Sequence, residues 1–160
     1  MKKPTSIFAL VTGITFAVIP FACQNSQAQS LSAVVNRIID GDTVVLRQGE
    51  TEIVGQLACI DTPDWVNGQA QPHAQASKNR LTQLIPVGSS VQYDSLRRIG
   101  EGRSLIVVFR NNQNINLQMV AEGQARLHGS YNQTCPSTAN TLAQMESKAK
   151  NQRLGLWNSR

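Results

Sequence analysis

Two short acidic signals, Ile39-Asp40-Gly41-Asp42-Thr43 and Ile60-Asp61-Thr62-Pro63-Asp64, bracket one stretch of this chain. Between them lie an apolar run, Val44-Val45-Leu46, a polar turn at Gln48-Gly49-Glu50-Thr51, and a second apolar run from Ile53 to Ile60. Folded as an antiparallel hairpin about that turn, residues whose numbers sum to about 99 to 103 stand opposite each other. Asp42 and Asp61 fall at the upper end of that range, so both carboxylates are expected at one end of the hairpin. Two carboxylates with hydroxyl and carbonyl oxygens nearby make a site for a hard divalent cation. The plainer reading of the same residues is a turn at Asp40-Gly41-Asp42 and a loop cap at Asp61.

A small β-rich frame has to position them. Ser32 to Ile39 reads as a first strand, Thr43 to Arg47 as a second and Ile53 to Ile60 as a third. Pro63 stops the third and forces Thr62 out of helical geometry. In a regular strand Gln56 and Asp61 face opposite ways, so the chain must bend between them for both to serve one site. Trp65 to Gln71 reads as a loop with Asn67-Gly68 at its tip. Beyond Pro72, Ala74, Lys78, Leu81 and Ile85 recur at helical spacing until Pro86. Ser90 to Ser95 alternates as a half-buried strand, Leu96 to Arg103 is a basic, glycine-bearing hairpin connection, and Ser104 to Arg110 is the most apolar strand. A polar turn at 111–114 leads to a helix capped by Asn116, with Leu117, Val120 and Ala121 inward and Gly123 at its exit. Arg126 to Pro136 reads as irregular. Ser137 or Thr138 then caps a last helix with a Leu142, Met145 and Ala149 stripe, ended by Gly155 before Leu156-Trp157. No helix separates the first three strands, which disfavours parallel crossovers. The pattern fits an α+β fold: a five-stranded Greek-key barrel of the OB type with three helices.

The 160 residues carry a formal net charge of +5. Lys2 and Lys3, the apolar run from Ile7 to Ala22 and the small-x-small triplet Ser26-Gln27-Ala28 form a signal peptide over 1–28, cut after Ala28. Gly13 and Pro20 interrupt the run, which disfavours a membrane anchor, and Pro20-Phe21-Ala22 before Cys23 makes a poor lipidation signal. The expected domain is 29–160, secreted or periplasmic, with 13 of the 15 Lys and Arg residues retained against 10 acids. That modest basic excess tolerates a polyanionic partner without requiring one. Cys59 and Cys135 remain after processing; in an exported chain they form either a bridge or two separate buried thiols. His73 and His128 lack ligand spacing to another His, Cys or Glu, which argues against a zinc site. Nothing in the sequence demands an oligomer.

Ile38-Ile39-Asp40-Gly41-Asp42-Thr43 followed by Leu57-Ala58-Cys59-Ile60-Asp61-Thr62-Pro63-Asp64 resembles the thermonuclease (staphylococcal nuclease-like) family. So do Gly102-Arg103 before an apolar strand, Asn116-Leu117-Gln118-Met119-Val120 with Gly123-Gln124-Ala125, and the closing Gly155-Leu156-Trp157. The likeness runs from about Val34 to Trp157. It implies an OB barrel with three helices and Ca²⁺-dependent hydrolysis of DNA and RNA phosphodiesters. By the same resemblance Asp42 and Asp61 are the calcium carboxylates and Thr62 the backbone-carbonyl ligand. Asp64 stands where the family has its catalytic glutamate, Arg103 at the second phosphate arginine and Gln56 at the first. Tyr131 matches one of two nucleotide-packing tyrosines, whose companion position is Gly129, and Glu101 replaces the tyrosine before Gly102-Arg103.

Cleaving a phosphodiester asks for positive charge on the developing phosphorane, an oriented water and a leaving group held in line. Arg103 can grip a phosphate bidentately, or lie solvated on the barrel rim. Asp64, one methylene shorter than glutamate, can position or deprotonate water, although a displacement of about 1 Å can cost about a hundredfold. Gln56 is neutral, and arginines in that role are worth about 10³ to 10⁵ in rate. Arg97, Arg98 and Arg126 are the arginines that could take its place. Trp65 could stack on a base, whereas Trp157 reads as a core plug. The expectation is an exported Ca²⁺-dependent nuclease of reduced turnover. Its rival is a barrel that has lost catalysis and only binds nucleic acid or a protein.

Overall fold

The computed structural model describes residues 30–158; the expected signal peptide, its cleavage point and Cys23 lie outside them. In chain order come β1 (Leu31–Ile38), β2 (Thr43–Gln48), β3 (Thr51–Leu57), β4 (Ile60–Asp61), β5 (Trp65–Val66), β6 (Gln69–Ala70) and α1 (Ala74–Leu84). They are followed by β7 (Ser90–Gly100), β8 (Arg103–Arg110), β9 (Gln113–Asn114), α2 (Ile115–Ala121), β10 (Arg126–Leu127), α3 (Tyr131–Thr134) and α4 (Ala139–Asn151). A 3₁₀ turn over Gly155–Trp157 closes the described chain.

Five strands make the barrel. β1 pairs antiparallel with β2 and β7, β2 with β3, and β7 with β8. β8 then closes the ring by running parallel to β3, with Gly55 opposite Ser104 and Leu57 opposite Ile106. Inward positions alternate with outward ones along β8, where Ser104, Ile106 and Val108 are buried, and along β7, where Val91 and Tyr93 are. With Val35, Val44, Leu46 and Leu57 they fill the interior, and Leu81 of α1 and Met119 of α2 complete the core. Each fully buried side chain of this size stabilises by about 1.5–3 kcal/mol over exposure. The OB-type α+β barrel expected from the strand order is the observed fold.

Several elements differ from the sequence reading. β2 and β3 hold one regular register, from Thr43 opposite Gln56 to Gln48 opposite Thr51. β3 stops at Leu57, the chain turns at Ala58-Cys59 with Cys59 at φ 71°, and it resumes as β4. This is the bend that side-chain parity required between Gln56 and Asp61. Trp65 to Gln71 is no plain loop but a tight hairpin with Asn67 and Gly68 at positive φ. The segment from Arg126 is partly regular: β10 pairs with β4, and α3 follows. β7 continues past Ser95 to Gly100, with register shifts between Ser95 and Arg97 and between Arg98 and Gly100.

The cap of α2 is Asn114, whose side chain accepts from Leu117 N, and not Asn116. Asn116 is buried instead. Its Oδ1 accepts from Val108 N, and its Nδ2 donates to the carbonyls of Ala58 and Ile106. It therefore pins β8 to the β3–β4 turn, and an amide with its acceptor and donor both used is stable in a core. Ile115, Met119 and Val120 form the fully buried face of α2, with Leu117 only partly covered.

Candidate active site

Asp42 ends the turn between β1 and β2. Its N–H donates to Asp40 Oδ1 at 3.0 Å, so Asp40 is the turn-forming member of the motif. Gly41 lets this turn press on its neighbours: a Cβ there would lie 2.7 Å from Ser77 Cβ and 2.8 Å from Thr62 Oγ1. The Asp42 side chain is consequently buried, at 7% exposure for the residue. Its Oδ1 accepts from Thr43 Oγ1 at 3.0 Å and its Oδ2 from Thr62 N at 3.2 Å. The Asp42 carbonyl meanwhile accepts from Leu57 N at 2.7 Å, which joins it to β3.

No Lys, Arg or His is paired with Asp42 among the described residues. Burial first, and the charge of Asp40 second, push its carboxyl from 3.8 up to about 7. A buried carboxylate that has donors but no counter-charge is costly to ionise, and a hard cation would remove that cost. The donor set therefore fits an oxygen-liganded divalent ion. Among the described residues no three His, Cys, Asp or Glu side chains converge, so such an ion would rest on two carboxylates, with carbonyls and water completing its shell.

Asp61 reaches the same corner by a different route. It lies on β4, opposite Arg126 of β10. Arg126 Nε and Nη2 both donate to Asp61 Oδ2, at 2.8 and 2.5 Å. The pair is half open, with side-chain exposures of 62% for Arg126 and 35% for Asp61. Thr62, next in the chain, is the residue whose N–H holds Asp42, so the two acidic motifs meet. They meet through the turn at Cys59, not through regular hairpin pairing.

The remaining expected site residues are distributed around this corner. Asp64 accepts from Trp65 N at its Oδ1, 2.6 Å away, and its backbone is bracketed by Gln71. Its carboxylate is thus engaged in the β5–β6 hairpin. Arg103 opens β8 opposite Val54; it is exposed and forms no ion pair among the described residues. Gln56 stands between Thr43 and Leu105 on the adjoining strands. Tyr131 begins α3, which buries no residue of its own. That helix is fastened by a Cys59–Cys135 disulfide with Cα atoms 6.3 Å apart. Trp65 has Lys78 Nζ 5.4 Å from its ring centre, which places a cation over that face.

Two residues that shape the corner were not legible as such. Arg126 sits on a two-residue strand, too short to show alternation, and only its pairing with β4 sets it on Asp61. Asn116 follows a polar turn and so mimics a helix cap in sequence.

Comparison with known proteins places the chain in a family. The family model for the staphylococcal nuclease homologue matches residues 56–159. The Thermonuclease of Staphylococcus intermedius is 32% identical over 111 residues, covering 67% of this chain and 66% of that protein. An uncharacterized endonuclease of Haemophilus influenzae is 35% identical over 124 residues, covering 77% of this chain and 64% of that protein. The chain thus spans just under two thirds of the length of these two relatives. The Micrococcal nuclease of Shigella flexneri is 32% identical over 161 residues, 95% of this chain and 87% of that protein, a span wide enough to take in Asp42. With its closed five-stranded barrel and these matches, the chain belongs to the family of staphylococcal nuclease homologues.

Proposed function

We propose that this chain is an exported Ca²⁺-dependent nuclease that hydrolyses phosphodiester bonds of DNA and RNA. The observation that carries the reading is Asp42, a buried carboxylate with no paired cation among the described residues, hydrogen-bonded to the residue beside Asp61. Asp42, Asp61 and the Thr62 carbonyl would hold the ion. When bound, it supplies positive charge to a phosphate oxygen at the scissile bond. The chain's own residues do the rest. Arg103, exposed and unpaired among the described residues, binds the substrate phosphate. Asp64 orients the attacking water and takes its proton, which requires its carboxylate to give up Trp65 N. Tyr131 packs against the nucleotide from the disulfide-fastened α3. The shorter Asp64 and the neutral Gln56 lower turnover relative to a site with glutamate and arginine there.

Support for export comes from Lys2-Lys3, the apolar run that follows and Ser26-Gln27-Ala28, together with a disulfide suited to an oxidising compartment. The test is cleavage of denatured DNA by the chain from Gln29, in Ca²⁺ and in chelator, beside Asp61→Ala. The reading expects cleavage in Ca²⁺ alone and its loss in the variant. Binding without cleavage would select a second reading, a barrel that only holds nucleic acid. The Asp64–Trp65 bond and Gln56 are the features that favour it.

A further inference from the structure

Of the three arginines that could stand in for a cation at Gln56, the structure separates one from the others. Arg126 is committed to Asp61. Arg98 is opposite Ser104, whose neighbours along β8 alternate in face. Arg97 is opposite Leu105, and Leu105 is in turn opposite Gln56. Thr43, Gln56, Leu105 and Arg97 therefore form one row across four strands, beginning beside Asp42. At a strand spacing of about 4.8 Å, the Arg97 backbone lies about 10 Å from that of Gln56.

A β-bulge produces this placement. Up to Ser95 opposite Ile106, β7 and β8 keep a regular register, and its continuation would set Leu96 against Leu105. The register shift inserts one residue, so Arg97 takes that position. Gln56, Leu105 and Arg97 then line one cleft of about 190 Å³ on the outer barrel wall, closed opposite by His128, Ser130 and Thr134. No acidic side chain lines it. Arg97 forms no ion pair among the described residues. Ser130 N donates to His128 Nδ1 at 3.3 Å, which assigns the proton of the neutral ring to Nε2 and leaves that nitrogen a donor. A cleft lined by a guanidinium, an imidazole and two hydroxyl side chains, and by no carboxylate, selects anions.

We propose that Arg97 is a phosphate-binding residue for the nucleic-acid strand, placed by the Leu96 bulge to serve the cleft where Gln56 brings no charge. The proposal rests on the nucleic-acid reading above but not on a bound metal. A labelled eight-nucleotide oligothymidylate, followed by anisotropy in chelator, measures it without cleavage. Arg97→Gln should weaken binding about tenfold and flatten the salt dependence by about 0.7, one phosphate contact on a single strand. Arg98→Gln, of equal charge change, should stay within about twofold, since it loses only diffuse attraction. The exchange Leu96→Arg with Arg97→Leu keeps composition and net charge and should bind as weakly as Arg97→Gln. Thermal melts of the variants matching the parent exclude misfolding as the cause.

Equal losses in Arg97→Gln and Arg98→Gln would overturn the proposal in favour of general electrostatics, as would full binding by the exchanged variant or no binding by the parent. In Ca²⁺, Arg97→Gln should raise KM more than it lowers kcat. A parent that binds oligothymidylate through Arg97 yet never cleaves would sink the nuclease reading and leave Arg97 standing. A parent that cleaves while Arg97→Gln matches it in binding and KM would do the reverse.

Discussion

Asp42 and Asp61 bring the same carboxyl group to one corner of the barrel and are held there by opposite means. Asp42 belongs to the barrel. Its carbonyl pairs with Leu57 N, its carboxylate takes a hydroxyl and a backbone N–H, and it is almost fully buried. Asp61 sits on an appendage, a two-residue strand paired with another of the same length. Beyond the burial of Ile60 in the core, that appendage is secured by Arg126 on Asp61, by the buried Asn116 on the Ala58 carbonyl and by the Cys59–Cys135 bond. Asp42 has rigid support and lacks a counter-charge, whereas Asp61 has a counter-charge and borrowed support. Under the proposed calcium reading this contrast would divide the labour: Asp42 is fixed by folding, and Asp61 can adjust as its arginine is displaced.

The largest expected effect falls on the Asp61 side. The disulfide spans 76 residues in sequence, and closing a loop of that length stabilises by about 4–5 kcal/mol in the chain-entropy model. Cys59→Ser with Cys135→Ser, or reduction, should therefore lower Tm by roughly 10–20 °C. Hydrogen exchange should then quicken in residues 58–62 and 126–135 before it does in β1 and β2. Uniform acceleration across the barrel would erase the distinction between frame and appendage.

Next in size is a pH effect on the Asp42 side. Its carboxyl, near 3.8 in an open chain, rises to about 7 when folded, with burial the main cause. The native state keeps a proton that the unfolded chain has lost, so the contribution of Asp42 to stability in chelator is full below about pH 4 and is lost as pH rises to about 7. The loss is on the order of 4 kcal/mol as an upper bound. Asp42→Asn should abolish this slope and make the metal-free protein more stable at pH 8. Urea unfolding at pH 5 and pH 8 reads the effect, and a flat parent profile would mean that Asp42 is not buried as described.

The smallest effect tests the arginine. Arg126→Gln frees Asp61 from a half-exposed pair worth about 1 kcal/mol, so Ca²⁺ affinity should rise by about three- to fivefold. Terbium luminescence competed with Ca²⁺ would measure it. Weaker uptake in the variant would show that Arg126 supports the ligand geometry more than it competes for the carboxylate.

The barrel was legible because β1, β2, β3 and β8 carry alternation, turn residues and apolar runs long enough to be read without a fold. Trp65 to Gln71 was misread because strands of two residues show no period, although Asn67-Gly68 marks a tight turn. The same brevity hid β10, and with it the partner of Asp61. The third strand reads too long in sequence because Ile53 to Ile60 is apolar but for Gln56 and carries no turn signal near its end, while the break depends on a positive φ at Cys59, a residue type that seldom announces one. Asn116 was assigned to the wrong duty because an asparagine ahead of a helix looks like a cap whether its amide faces the helix or the core. Local chemistry thus located both aspartates, but the contacts that distinguish them are long-range.

Isothermal titration of the folded chain from Gln29 with Ca²⁺, in the presence of a non-cleavable oligonucleotide, tests the shared ion most directly. The account predicts one ion per chain, with uptake lost in both Asp42→Asn and Asp61→Asn while each variant keeps its fold. Uptake that survives either substitution unchanged, or a well-folded parent that takes up no calcium, would contradict it.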